Sequence, residues 1–152
     1  MPSREPSLRR AHEADAPAIA SLTAAAYGDY VELIGRLPMP MSADQAAAVR
    51  DHEVWVLEDD GSLAGVLEVV REPDHLWIEN VAIRPDHQGL GYGRRLLDFA
   101  ETLAADGGYA EIRLHTNERY ARNLAMYAGR GYRETGRVPY RGTDLVTLAK
   151  PI

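Results

Sequence analysis

Residues 88–94 read QGLGYGR and set Gly89, Gly91 and Gly93 at alternate positions, where an apolar run ends and an amphipathic run begins. Glycine gives up backbone entropy in any ordered segment, so such a run points to unusual dihedrals or to something pressed against the main chain. A loop without side chains that feeds a helix lets successive backbone N–H groups converge on an anion, aided by the positive end of the helix dipole. A pyrophosphate fits that chemistry. Arg94 and Arg95 fall in the first helical turn, where a cation is unfavourable unless something negative binds nearby. A tight strand-to-helix turn with no ligand accounts for the same glycines. Arg94 and Arg95 after Gly93 break the GxxxxGK[ST] pattern of a Walker loop, and the GxGxG spacing after antiparallel strands departs from the GxGxxG dinucleotide fingerprint.

Glu79 is the second residue of interest. It lies in LWIENVAI, apolar on both faces, which predicts a central strand and a poorly solvated carboxylate, the setting of a general base. A carboxylate that only binds an amine, or one held in a structural hydrogen-bond network, reads the same way. The histidines His12, His52, His75, His87 and His115 are scattered without HExxH or comparable spacing, so no metal site is predicted. His75 opens the strand of Glu79 and His115 ends the next one, where either borders a substrate or simply caps a loop edge. Tyr27, Tyr30, Met39 and Met41 either line an amine pocket or pack short helices. The chain has no cysteine, which removes thiol nucleophiles, disulfides and thiolate metal sites.

The 152 residues suffice for one domain with a real core, and nothing reads as a linker, so 1–152 is expected to be a single domain. A balance of 17 basic against 23 acidic residues, net −6, argues against general nucleic-acid or anionic-membrane binding. A cationic small substrate suits that charge, as does plain solubility. No signal-like segment and no long apolar run are visible, which predicts a soluble cytoplasmic protein.

These residues need elements to position them. SLRRAHEADAPAIASLTAAAY predicts a strand and then a helix with Asp15 as N-cap and Ile19, Leu22 and Ala26 on one face. The prolines of LPMPM hold a lid-like loop. Antiparallel strands follow at 54–58, 63–71 and 75–83, with EDDGS as a hairpin turn. After the glycines, Leu96, Phe99, Ala100 and Leu103 fall at helical spacing up to the stop DGG. AEIRLHT reads as a strand, NERYARNLAMYAGRG as a helix, and YRETGR and LVTLAK as closing strands. The order β-α-α-β-β-β-α-β-α-β-β predicts a mixed α/β (α+β) sheet with helices on both faces.

VAIRPDHQGLGYGRRLL resembles the acyl-CoA signature of the GNAT superfamily of N-acyltransferases, Q/R-x-x-G-x-G/A, with Gln88, Gly91 and Gly93 in register. NLAMYAGRGY is similar to the family's second signature, with Tyr127, Gly131 and Tyr132 in place. The resemblance runs from about residue 53 to the C-terminus; the first fifty residues fit by element order alone. It implies a mostly antiparallel GNAT-like sheet whose middle strands splay, with acetyl-CoA as co-substrate and no metal. The main chain of Val81, Ala82 and Ile83 would bind the pantetheine and acyl group. Gln88, Gly89, Leu90, Gly91, Tyr92, Gly93 and Arg94 would hold the pyrophosphate, although Gly89 lies outside the signature and eases the turn.

Many members carry Asn seven residues before the Tyr; Tyr120 stands there, and Asn123, one turn before Tyr127, shares its helix face. Tyr127 matches the family's acid toward the CoA sulfur, while an ordinary buried aromatic is the plainer reading. The acceptor implied is a primary amine of a small molecule or peptide, with Tyr27, Tyr30, His75 and His115 as its surroundings and Glu79 as base. Without cysteine, direct transfer in a ternary complex is the simplest route. The family often dimerises, so a homodimer is allowed. The alternatives are a GNAT-like domain that senses acyl-CoA without turnover, and an ATP- or NAD-binding protein.

Overall fold

A computed structural model describes residues 6–31, 41 and 43–152. Its elements are β1 (Ser7–Arg10), a 3-10 turn Glu13–Asp15, α1 (Ala16–Tyr27), α2 (Gln45–Asp51), β2 (Glu53–Asp59), β3 (Ser62–Arg71) and β4 (Leu76–Ile83). A 3-10 turn Pro85–His87, α3 (Tyr92–Asp106), β5 (Glu111–Asn117), α4 (Ala121–Gly129), β6 (Arg133–Tyr140) and β7 (Thr143–Pro151) complete them. Among the described residues this order matches the sequence pattern. Met39 and most of the LPMPM run lie outside the described residues.

The strands form one seven-stranded sheet in the order β1-β2-β3-β4-β5-β7-β6. All neighbours pair antiparallel except β4 and β5. Those two run parallel and pair only at Leu76↔Ile112, Trp77↔Arg113 and Ile78↔Leu114, then part. On its other edge β4 pairs Glu68↔Asn80 and Val69↔Ile78, which leaves Glu79 as an extra residue. Such a bulge bends its strand and increases the local twist, here at the place where β5 departs.

Apolar residues on alternate positions serve both faces, as expected for a sheet with helices on each side. Leu67, Val69, Leu76 and Ile78 join Leu96, Leu97 and Ala100 of α3 and Ile112 and Leu114 of β5 in one core. Val54, Val56, Val66 and Ala82 meet Ile19 and Leu22 of α1 and Ala48 of α2 in the other. No helix among the described residues is long and apolar enough to cross a membrane.

Local expectations are corrected in three places. Asp15 sits where the N-cap of α1 belongs but makes no capping bond. Its carboxylate instead accepts from Arg9 Nη1 and Nη2 at 2.8 and 2.9 Å and from the His12 N–H at 2.7 Å. The helix predicted from Asn117 begins at Ala121, because Asn117 extends β5 opposite Leu145 and donates to Thr143 Oγ1 at 2.8 Å. Strand β6 runs to Tyr140, beyond the predicted YRETGR, as a largely exposed edge strand that has no apolar alternation to mark its end.

Candidate active site

Where β4 and β5 part, a cleft of about 460 Å3 opens between them. The edge of β4 that faces it is identifiable from its hydrogen bonds. Val81 O accepts from the Tyr27 hydroxyl at 3.2 Å, and Ile83 O accepts from Gln88 Nε2 at 3.2 Å, so both carbonyls point away from β3. A strand residue sends its N–H and C=O to the same side. The amides of Val81 and Ile83 therefore share the edge turned toward the cleft, while Ala82 is buried on the α1 side.

At one end of the cleft, Gly89 and Gly91 both adopt φ of 82°, a left-handed conformation that L side chains rarely take. Gly91 is the N-cap of α3, whose first turn has no side-chain cap. The first N–H groups of the helix thus have no intrahelical acceptor. A Cβ on Gly89 or Gly91 would meet nothing within 4 Å, so dihedral preference demands these glycines. Gly93 has an ordinary backbone and lines the cleft, where a side chain would occupy the space. Gly89, outside the signature, thus carries the same backbone demand as Gly91. Leu90 and Arg94 are exposed, and Tyr92 turns its hydroxyl away to donate to Asp59 Oδ2 at 2.9 Å. An uncapped helix start, a glycine-rich loop and an amide-bearing strand edge fit a diphosphate with an extended thioester arm.

Tyr127 is 5 % exposed, packs edge-to-face on Tyr132, and lines the cleft from α4. Burial, reinforced by Tyr30, pushes its phenol pKa well up, so the group stays protonated. Tyr30 stacks on Tyr120 with ring centroids 4.0 Å apart and donates to Asn123 Oδ1 at 3.4 Å. Tyr27, Tyr30, Tyr120 and Asn123 thereby wall the cleft, which assigns Tyr120, the departure from the family pattern, a packing contact with Tyr30 just past the turn that ends α1.

Glu79 corrects the expectation of poor solvation: it is exposed, with Oε2 accepting from Trp77 Nε1 at 2.8 Å. The bulge turns it outward at the cleft mouth although its neighbours Ile78 and Asn80 are buried. His115 faces the same cleft from β5, edge-to-face with Trp77 at 4.6 Å. Burial lowers its pKa despite the pull of Glu79, which favours the neutral imidazole. His75 does not line the cleft and pairs with Asp74 at 2.7 Å. Sequence reasoning missed Asn80, Arg122 and Tyr140 in the cleft wall and Glu68 beside it; the polar interruption of GVLEVV was the signal for Glu68.

The sequence model of the Acetyltransferase (GNAT) family matches residues 19–132, and the chain belongs to that family. It is 28% identical over 149 residues to the aminoglycoside N(6')-acetyltransferase type 1 of Stenotrophomonas maltophilia, covering 92% of this chain and 94% of that one. It is 27% identical over 88 residues to N-acetyltransferase family 8 member 2 of Rattus norvegicus, covering 54% of this chain and spanning only 39% of the rat protein's length. The PaiA N-acetyltransferase of Thermoplasma acidophilum, solved in complex with coenzyme A, shares the fold with a TM-score of 0.81 at 14% identity, covering 98% of this chain and 100% of that one.

Proposed function

We propose that residues 1–152 act as one N-acetyltransferase unit, moving an acetyl group from acetyl-CoA directly to a primary amine of a small molecule or peptide. The observation that carries this reading is the divergence of β4 from β5 beside the uncapped start of α3, with Tyr127 lining the cleft between them. Family membership supports the donor.

Acetyl-CoA supplies the thioester when bound. The α3 start and the Gln88–Arg94 loop hold its diphosphate, and the amides of Val81 and Ile83 hold the arm and orient the acyl carbonyl. The amine nitrogen forms the new N–C bond as the C–S bond breaks. Glu79, exposed at the mouth, attracts the incoming ammonium, which sheds one proton to solvent and so reaches the thioester as the free amine. The neutral imidazole of His115 takes the proton that the amine loses, and Tyr127 gives its phenolic proton to the departing sulfur. Assigning the base to His115 rests on its half-buried, uncharged state, where Glu79 has the solvent exposure described above.

A melting-temperature scan with acetyl-CoA, CoA, ATP and NAD tests the donor, since a ligand of the native state raises Tm. Acetyl-CoA and CoA should raise it, with ATP and NAD weaker; no shift with either CoA species would sink the reading. Thiol release over a panel of amines then separates an enzyme from an acyl-CoA sensor, which would bind and never turn over.

A further inference from the structure

Asp59 is the last residue of β2, and the transfer scheme gives it no task. It leads into the two-residue turn Asp60–Gly61, whose φ of 52° and 81° are both left-handed, and it pairs with Ser62 across that turn. Two central residues with positive φ make a tight hairpin connection whose twist matches the flanking strands. The Ser62 hydroxyl donates to the Asp59 carbonyl at 3.1 Å, a second tie across the same turn. A short-range hairpin thus fixes the main chain that carries the Asp59 carboxylate.

That carboxylate meets both ends of the glycine-rich loop. After the loop, the Tyr92 hydroxyl donates to Asp59 Oδ2 at 2.9 Å. Before it, His87 Nε2 lies 3.4 Å from the same oxygen, while His87 Nδ1 lies 2.8 Å from Asp86 Oδ1. The rings of His87 and Tyr92 stack, with centroids 6.0 Å apart and planes 26° from parallel. The Asp59 and His87 side chains are only 17 % and 19 % exposed, whereas Gln88, Gly89, Leu90 and Gly91 between the two rings are all exposed. A Cβ on Gly89 or Gly91 would find no neighbour within 4 Å, so the loop is held at its ends and not by packing along its length. Asp59, His87 and Tyr92 all stand outside the lining of the cleft, so they act on the loop and not on the arm inside the cleft.

We propose that Asp59 is a positioning residue for the donor: through Tyr92 and His87 it keeps the ends of the Gln88–Gly91 loop at the spacing in which the loop N–H groups converge on the CoA diphosphate. The inference rests on the acetyltransferase reading above. Glycines that permit a left-handed turn also permit many other backbone states, and fixing them when a ligand binds costs entropy. A loop already held in its bound shape avoids that cost, and the benefit is read as tighter binding of whatever the loop contacts. Asp59 therefore strengthens the hold on the diphosphate without touching it.

Titration with CoA and with pantetheine, which lacks the diphosphate and the nucleotide, separates this role from a general loosening of the fold. The wild type should bind CoA more tightly than pantetheine. In Asp59→Ala the CoA Kd should rise roughly tenfold, the scale of a lost hydrogen bond to a charged group, while pantetheine binding and the ligand-free Tm stay as in the wild type. Asp59→Asn keeps an oxygen that accepts from the Tyr92 hydroxyl and should recover part of the loss. Tyr92→Phe removes that hydroxyl alone and should also weaken CoA binding, and together with Asp59→Ala the two effects should fall short of additive. It serves if Asp59→Ala does not fold. His87→Phe keeps a ring beside Tyr92 without its nitrogens and should weaken CoA binding in the same direction. An unchanged CoA Kd in any of these three variants, a pantetheine Kd that rises in step with that of CoA, or equal wild-type affinity for the two would overturn the proposal and leave the donor reading standing. A wild type that binds neither CoA nor acetyl-CoA would sink the donor reading and this role with it.

Discussion

Tyr127 is held by burial as a neutral phenol, the form that can still give a proton to a departing thiolate. Tyr127→Phe keeps the ring and its contact with Tyr132 while removing that proton, so kcat should fall about 100-fold with the acetyl-CoA shift in Tm retained. His115 provides the matching test at the other proton. Because burial lowers its pKa below 6.5, the imidazole is an acceptor at neutral pH and is lost as pH falls through that lowered value. Plotted against the concentration of uncharged amine, kcat/KM should therefore drop on an acid limb that lies below pH 6.5 and flattens in His115→Gln. The place of Tyr127 in the cleft wall was legible in the sequence because its signature spans only a few neighbouring residues. The solvation of Glu79 was not, because the bulge that turns it outward depends on its register with β3.

At the scale of elements, the proposed donor site is a junction between a strand edge and a helix start. The uncapped first turn of α3 leaves N–H groups for an anion, and Gly91 holds the turn at φ 82°. Gly91→Ala meets no steric neighbour within 4 Å, so its cost is conformational. It should destabilise the fold by about 1 kcal/mol and weaken CoA binding as the loop relaxes, which equilibrium unfolding and CoA titration would register together. The loop and helix were readable because glycine placement, apolar spacing and the DGG stop are short-range signals. The start of α4 and the end of β6 were not, since Asn117 is claimed by β5 and β6 is an exposed edge.

Across the whole molecule, β1–β4 and β5–β7 act as two antiparallel groups joined by a short parallel seam. Leu76 lies in that seam opposite Ile112, both fully buried, beneath α3. Leu76→Ala should cost about 2–5 kcal/mol, seen as a lower urea midpoint. Loosening the seam should also weaken acetyl-CoA binding, since the cleft is the continuation of the same divergence. By itself the sequence determined the order of the described elements, the glycine-rich turn into α3 and the family, because periodicity, glycine spacing and signature residues act over a few positions. Only the tertiary structure decided how β4 leaves β5, that Glu79 is exposed, and that Glu68 and Asn80 meet beside it. Those residues come together through strand register and a bulge, long-range pairings that no local pattern of side chains encodes.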